Sequence, residues 1–350
     1  MRPIYFFLLS YLTLLPTING KTCDDNEVHA AWNTLRHCGL SWQPISHLIP
    51  KTTHKSHRFA VIGDFGADSP GEADVAAMVR EWDAQDRLTA VLTVGDNNYE
   101  IGSQSTVENN VGKYYWYYMY PYKSYVTPPL YTGAPDKINR FYPCPGNHDW
   151  GEGNLDNYLD YFAGVNNSYY YTKSLGNVDV FMLDSDPHQD AFSGTSVTSE
   201  QATWLKQALS RAKAVWKLVL FHHPPFSSGE HGNTGYMNWP FWEWGAHIVI
   251  SGHEHDYERI VLPQGACQTF PYIVTGLAGA KIRNFNAPIQ GSVKRFNDTF
   301  GASLIETTDD ALTISFMSVD KKVQDSMTLT KSSSKCGFDI DSDTTLHTAS

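Results

Sequence analysis

Five short apolar runs in this chain each end in a turn that carries metal-type ligands, and no other feature restricts its folding as strongly. Phe59-Ala-Val-Ile leads into Gly63-Asp64-Phe65-Gly66, Val91-Leu-Thr-Val into Gly95-Asp96-Asn97-Asn98-Tyr99, and Phe141-Tyr-Pro-Cys-Pro into Gly146-Asn147-His148-Asp149. Farther on, Leu218-Val-Leu-Phe leads to His222-His223-Pro224-Pro225, and Ile248-Val-Ile-Ser to Gly252-His253-Glu254-His255. Apolar and β-branched runs of this length, closed by Gly or Pro, read as buried strands. In open α/β sheets ligands gather outside the carboxyl ends of the strands, so turns far apart in the chain can meet at one place. Taken singly, an Asp after a strand is more often a turn or cap residue, and Gly-Asn-His-Asp is as readily an Asx-turn. The specificity lies in the joint recurrence.

The remaining pattern agrees with a layered α/β domain around one core. Strands are predicted over 58–62, 90–94, 217–221, 248–250, 272–275, 303–306 and 312–319. A helix is predicted over 71–86, with Ser69 as cap and Pro70 in its first turn. Thr198 and Gln201 read as a capping box for a second helix reaching about Lys213, with Trp204, Leu205, Ala208 and Leu209 at helical spacing. No repeat or linker divides the span 58–330, which reads as one catalytic domain. Residues 21–57 form an N-terminal extension, and the Ser/Thr/Asp-rich tail 331–350 is expected to be flexible.

Met1 and Arg2 precede an apolar stretch from Ile4 to Leu15, with Ile18 and Gly20 before a cleavage point at Lys21. Residues 1–20 therefore read as a secretory signal peptide, being shorter than the ~20 apolar residues of a spanning helix. That route leads outside the cell or to a lysosome-like compartment, with no membrane attachment after cleavage. Two N-x-[ST] sequons, at Asn166 and Asn297, would be open to glycosylation there. The cysteines Cys23, Cys38, Cys144, Cys267 and Cys336 contain no C-x-x-C pair, which argues against a zinc ribbon or a thioredoxin-type centre. Cys23 with Cys38 and Cys144 with Cys267 are conceivable disulfides. A net charge of −11 from 37 acidic and 26 basic residues would repel nucleic acid and anionic lipid. Acid reverses this field once the 14 histidines are protonated, so an anionic substrate is better received there.

Two carboxylates, a tyrosine, an asparagine oxygen and three histidines suffice to hold two metal ions. Two ions about 3.5–4 Å apart can clamp the attacking and leaving oxygens of an in-line phosphoryl displacement. In this order, the motifs GDFG, GDNNY, GNHD, FHHPP and GHEH resemble the metallophosphoesterase superfamily. Within it they resemble the purple acid phosphatases, especially the single-domain tartrate-resistant type. The similarity runs from about Arg58 to about Leu329 and includes TWLKQALSRAKA and the Glu230-His231-Gly232 turn. It implies a four-layered αββα sandwich with a dinuclear metal site at the strand ends. Many superfamily members carry D-x-H in the first motif; here the third position is Gly66, and Tyr99 stands as the replacement ligand. A phenolate with a free pKa near ~10 is held ionised by a strongly Lewis-acidic ion such as ferric iron.

The resemblance puts Fe(III) on Asp64, Asp96, Tyr99 and His255, and a second ion, Fe(II), Zn(II) or Mn(II), on Asp96, Asn147, His222 and His253. It implies hydrolysis of phosphate monoesters by direct attack of metal-bound hydroxide. His148 and His231 are the candidates for protonating the leaving group, with Asp149 orienting His148. Substrates would be small phosphate esters, phosphoproteins or nucleotides. Rival readings are a phosphodiesterase or a nucleotide or pyrophosphate hydrolase with the same centre, and a silent phosphate- or partner-binding protein. Redox cycling of an iron pair would be a side activity. His223 reads as a supporting residue rather than a ligand, because it points elsewhere on a continued strand. Asp256 to Arg259 read as forming local salt links, the aromatic run 114–125 as a helix packed on the sheet, and 238–244 as a buried helix. The short loop after Asp184 gives no ground for regulation by loop proteolysis.

Overall fold

The computed structural model describes residues 17–18, 21–22, 56–165, 168–191, 193–264, 268–331 and 338–341. The chain divides into two compact units, Met1–Thr53 and His54–Ser350. Of the first, an antiparallel pair of Thr17–Ile18 with Lys21–Thr22 is described. The rest of the 1–20 segment, Cys23, Cys38, Cys267, Cys336 and Asn166 lie outside the described residues.

The second unit contains two seven-stranded mixed sheets. One is built on β1 (His57–Ile62), β2 (Ala90–Thr93) and β3 (Phe141–Tyr142), which run parallel. The other is built on β5 (Val178–Met182), β6 (Trp216–Leu220) and β7 (Ile248–Ser251), also parallel, with β4 (Tyr171–Leu175) antiparallel at its edge. β8 (Tyr257–Gln264), β9 (Gln268–Thr275) and β10 (Ser292–Phe296) complete that second sheet. β11 (Gly301–Thr307), β12 (Ala311–Ser318), β13 (Val323–Lys331) and β14 (Phe338–Asp341) extend the first. β14 is an edge strand on β13, so that stretch of the tail expected to be flexible belongs to the sheet.

Alternation along the strands of the second sheet explains the layering. Val178, Val180, Met182, Leu218, Leu220, Ile248 and Ile250 join the large core shared with the first sheet. Their neighbours Phe181, Val219 and Val249 face the other way, onto Leu205 and Leu209 of α3 (Glu200–Arg211). On the first sheet, α1 (Pro70–Gln85) buries Val75, Val79 and Trp82 in the large core. A further short helix, α2, spans Asp156–Tyr161. The result is the expected αββα sandwich. Among the described residues one Arg-to-carboxylate link joins the sheets, and it is bidentate: Arg259 of β8 donates to both oxygens of Asp325 on β13, at 2.7 and 2.9 Å. The salt link at Arg259 is therefore not local, and Glu258 is bound by Ser228 and Ser292.

Four local readings change. Ser199, not Thr198, caps α3, its Oγ accepting from Ala202 N, while Gln201 turns inward to Asp184. Residues 238–244 form successive turns rather than a helix; Trp239 and Phe241 are nonetheless buried. The aromatic run is helical only to Tyr118 and irregular beyond it, with Tyr115 and Tyr118 in the core. Cys144 is a buried free thiol whose Sγ donates to Thr93 O, so the pairing with Cys267 is not made.

Candidate metal centre

The carboxyl ends of β1, β2, β6 and β7, and the turn beyond β3, deliver their polar residues to one place, although they come from two sheets. Asp64, Asp96 and His253 sit directly after strands at positive φ (56°, 52° and 70°), so the chain turns sharply and throws the side chain sideways. Backbone bonds fasten the turns together: Asp64 N donates to Gly95 O, and Gly252 N to His222 O. His253 N donates to the Asp64 carboxylate at 2.9 and 3.1 Å, and His148 N to Asp96 Oδ1 at 2.9 Å. A side chain on Gly146 would stand 2.3 Å from Asp96 Oδ1, which is why that turn requires glycine.

The seven residues expected as ligands form two overlapping groups. In one, Tyr99 Oη lies 3.0 Å from Asp96 Oδ2, 3.4 Å from Asp64 Oδ1 and 3.2 Å from His255 Nε2, which is itself 3.4 Å from Asp64 Oδ1. In the other, Asn147 Oδ1 is 3.0 Å from both His222 Nε2 and His253 Nδ1, and His222 Nε2 is 3.2 Å from Asp96 Oδ2. Asp96 belongs to both. Carbonyl oxygens fix two of the imidazole tautomers: His222 Nδ1 donates to Val94 O (2.8 Å) and His255 Nδ1 to Lys281 O (2.6 Å). The opposite nitrogen of each ring therefore faces the cluster, the arrangement that orients metal-binding histidines.

Gly66 and Tyr99 are mechanically linked. A Cβ on Gly66 would fall 1.8 Å from Asn97 O, and Gly66 O accepts from Tyr99 N at 2.8 Å. The backbone leading to Tyr99 thus occupies the space a D-x-H histidine would need.

Burial and neighbouring charges act on the members of the cluster in opposite senses. Burial opposes the charge of Asp96, yet the protonated His222 and then His148 hold its carboxyl far below the ordinary range. His222 is pushed up to about 10 against its burial by Asp96 and Asp64. Burial, then Asp96 and Asp64, push the Tyr99 phenol well above its usual value. Its ionisation would require a strongly Lewis-acidic cation. The donors suit two cations: one group offers hard oxygens, the other imidazoles and an amide oxygen. His223 stands nearer than expected, its ring nitrogen within 4.8 Å of those of His222 and His253. Its Nδ1 faces Ser185 Oγ at 3.0 Å, and burial followed by the charge of His222 lowers it to about 3, keeping it neutral.

His148 and His231 border this cluster. His148 Nδ1 donates to Glu100 O at 2.6 Å, and its Nε2 lies 4.0 Å from Asp96 Oδ2. Asp149 does not orient that ring. Its Oδ2 accepts from Gly146 N and from both nitrogens of Asn97, so it ties the GNHD turn to the GDNNY turn. Burial and the charge of Asp96 raise Asp149 to about 7. His231 stacks on His253, with ring centroids 4.4 Å apart. Its backbone N donates to Glu254 Oε1 at 2.8 Å, and Arg283 Nη1 lies 2.8 and 3.0 Å from its two ring nitrogens. Arg283 was not singled out from sequence because it lies outside every motif; Glu254 stands inside GHEH, but no role was assigned to it, because its partner His231 is distant in the chain.

Asn297, in the second sequon, is half-buried and donates from Nδ2 to Arg283 O at 2.8 Å. Among the described residues no helix is long and apolar enough to cross a membrane.

The sequence profile of the calcineurin-like phosphoesterase family matches residues 57–257. Human acid phosphatase type 7 is 26% identical over 267 residues, covering 66% of this chain and 56% of that protein. Purple acid phosphatase 4 of Arabidopsis thaliana is 24% identical over 287 residues, covering 75% and 80%. The chain spans about half the length of the human and mouse acid phosphatase type 7 proteins. Among solved structures, a purple acid phosphatase from yellow lupin seeds superimposes with a TM-score of 0.62 at 17% identity, over 79% of this chain and 54% of that one. GAP50, described as the anchor in the inner membrane complex of Plasmodium, gives 0.59 at 19%, over 80% and 90%. These two likenesses concern the fold.

Proposed function

Because the chain belongs to the calcineurin-like phosphoesterase family, and is purple-acid-phosphatase-like within it, we propose that it hydrolyses phosphate monoesters in acid. The observation that carries this reading is the seven-residue cluster with Asp96 common to both halves. Asp64, Asp96, Tyr99 and His255 would hold Fe(III); Asp96, Asn147, His222 and His253 would hold Fe(II), Zn(II) or Mn(II). When bound, such a pair supplies Lewis acidity, which brings the pKa of water into the nucleophilic range and offsets the charge of the phosphoryl oxygens.

The chain's own residues then divide the remaining tasks. With Nδ1–H committed to Glu100 O, Nε2 is the nitrogen through which His148, as the imidazolium, would deliver a proton to the departing alkoxide, becoming neutral in the step. Asp149 and Asn97 keep the His148 turn in register with Asp96. His231, stacked on His253 and fastened by Glu254, lines the approach to the cluster. A secreted or lysosome-like location, with small phosphate esters, phosphoproteins or nucleotides as substrates, completes the proposal. The apolar segment Ile4–Leu15 and the histidine-dependent charge support it.

The test is a visible spectrum and metal analysis of the purified protein, with rates on a monoester and a diester sharing one leaving group. Two metals per chain, a purple band lost in Tyr99→Phe, and faster monoester cleavage are expected. A colourless two-metal enzyme would remove the ferric assignment, and a faster diester rate would replace the monoesterase reading.

A further inference from the structure

Arg283 follows a loop, Gly276-Leu-Ala-Gly-Ala-Lys-Ile-Arg283, whose other members are small or apolar apart from the exposed Lys281, between β9 and β10. Its backbone is fixed. Arg283 N donates to His255 O at 3.1 Å, and Arg283 O accepts from Asn297 Nδ2. Nearby, Asn286 donates from N to Ser228 O and from Nδ2 to Gly229 O. The loop is thus laced to the His255 turn on one side and to the His231 turn on the other. This holds the guanidinium at the rim of the metal-type cluster.

The side chain is half-buried, and only its Nη1 has protein partners among the described residues: the His231 ring and, at 3.4 Å, His253 O. The salt bridges among those residues include none to Arg283, whereas Arg259 and Arg140 are each matched by a carboxylate. Its charge reaches Tyr99 and His255. In a chain of net charge −11, a fixed guanidinium without a carboxylate, beside a site of this chemistry, retains donors for an incoming anion.

Building on the phosphatase reading above, we propose that Arg283 grips a terminal oxygen of a doubly charged phosphate monoester, with His231 as its neighbour, and so favours monoesters over diesters. A monoester presents three terminal oxygens and up to two negative charges; a diester presents two oxygens and one charge. The guanidinium fork meets the additional oxygen through charge-assisted hydrogen bonds. Its effect falls on substrate binding rather than on leaving-group departure, which belongs to the His148 side.

The experiment compares metal-loaded wild type, Arg283→Met and Arg283→Lys. It measures steady-state rates on 4-nitrophenyl phosphate and bis(4-nitrophenyl) phosphate, competitive inhibition by inorganic phosphate, and direct phosphate binding by calorimetry. Arg283→Met should raise the monoester KM and weaken phosphate binding about 10- to 100-fold. Its monoester kcat and its diester kcat/KM should stay within about threefold, with the lysine variant between. Equal losses on both esters, or unaltered phosphate binding in a folded methionine variant, would overturn the assignment. Should Arg283→Met fold poorly, a lysine variant that binds phosphate as tightly as wild type overturns it too. A wild type that cleaves neither ester yet binds phosphate through Arg283 would uphold the contact and sink the phosphatase reading instead.

Discussion

His148 and His231 reach the same cluster of donors, but their surroundings divide their work. On the His148 side a carbonyl, Glu100 O, holds Nδ1, and a carbonyl can only accept, so the proton there is fixed and Nε2 remains for exchange. On the His231 side the ring nitrogens face the Arg283 guanidinium, which can only donate, and Nδ1 also lies 3.3 Å from Glu254 Oε2, which can only accept. Toward Arg283 the imidazole acts as acceptor and so steadies the guanidinium, whose remaining N–H donors form the anion-receiving edge. Two histidines with one intrinsic chemistry are thus assigned to proton delivery and to binding by the polarity of the nearest partner.

The contrast disappears altogether if its common floor is removed. Asp96→Asn should lower kcat/KM on an aryl phosphate by more than about 1,000-fold, and metal analysis should find fewer than two ions per chain. Near-normal turnover would mean that Asp96 is not shared. The next largest effect separates the two sides. His148→Ala should cut kcat on an alkyl phosphate about 100- to 1,000-fold. On 4-nitrophenyl phosphate, whose leaving group departs without protonation, the loss should stay within about tenfold. Equal losses would move His148 to the binding side. His231→Ala should raise KM about tenfold on both substrates with little leaving-group dependence; a leaving-group-dependent kcat loss would make it a second acid.

The smallest expected effect comes from the far end of β7, where His247 precedes the strand whose other end carries His253 and His255. His247 is partly buried and accepts from Lys217 N at 3.2 Å. Its burial, then the charges of Lys217 and Lys331, lower it to about 3. The unfolded chain therefore binds this proton more readily, and the stability contributed is complete above an unfolded pKa of about 6.5 and declines as pH falls toward 3. Between pH 7.5 and 5.5 the loss should be about 1 kcal/mol in urea unfolding. His247→Gln, which keeps an acceptor for Lys217, should flatten that slope; an unchanged slope would place the titration elsewhere.

The ligand cluster was legible because each member lies within a few residues of an apolar strand end, so local pattern and chemistry coincide. The strands β1, β2, β6, β7, β11 and β12 were legible for the same reason. β8 was not. Glu258 and Arg259 read as forming local salt links, whereas their partners are Ser228, Ser292 and Asp325, all distant in the chain. β13 alternates polar with apolar residues and has Asp325 on the inner face, which masks its periodicity. Arg283 and Glu254 were invisible as site residues because their meaning lies in a partner, His231, that tertiary structure alone supplies. Asp149 was misread because adjacency to His148 suggested a bond, whereas its carboxylate points back to Asn97.

The crowding at Gly66 bears on how such centres diverge. With Asn97 O where a Cβ would stand, replacing Gly66 by histidine places two atoms in one volume. The tyrosine-bearing and histidine-bearing forms of this site are therefore not neighbours in sequence space. A lineage passing between them must move the backbone that carries Tyr99 as well as change residue 66, so an ancestor with one type of centre would tend to keep it. Converting this centre by design therefore demands a remodelled turn before any new ligand.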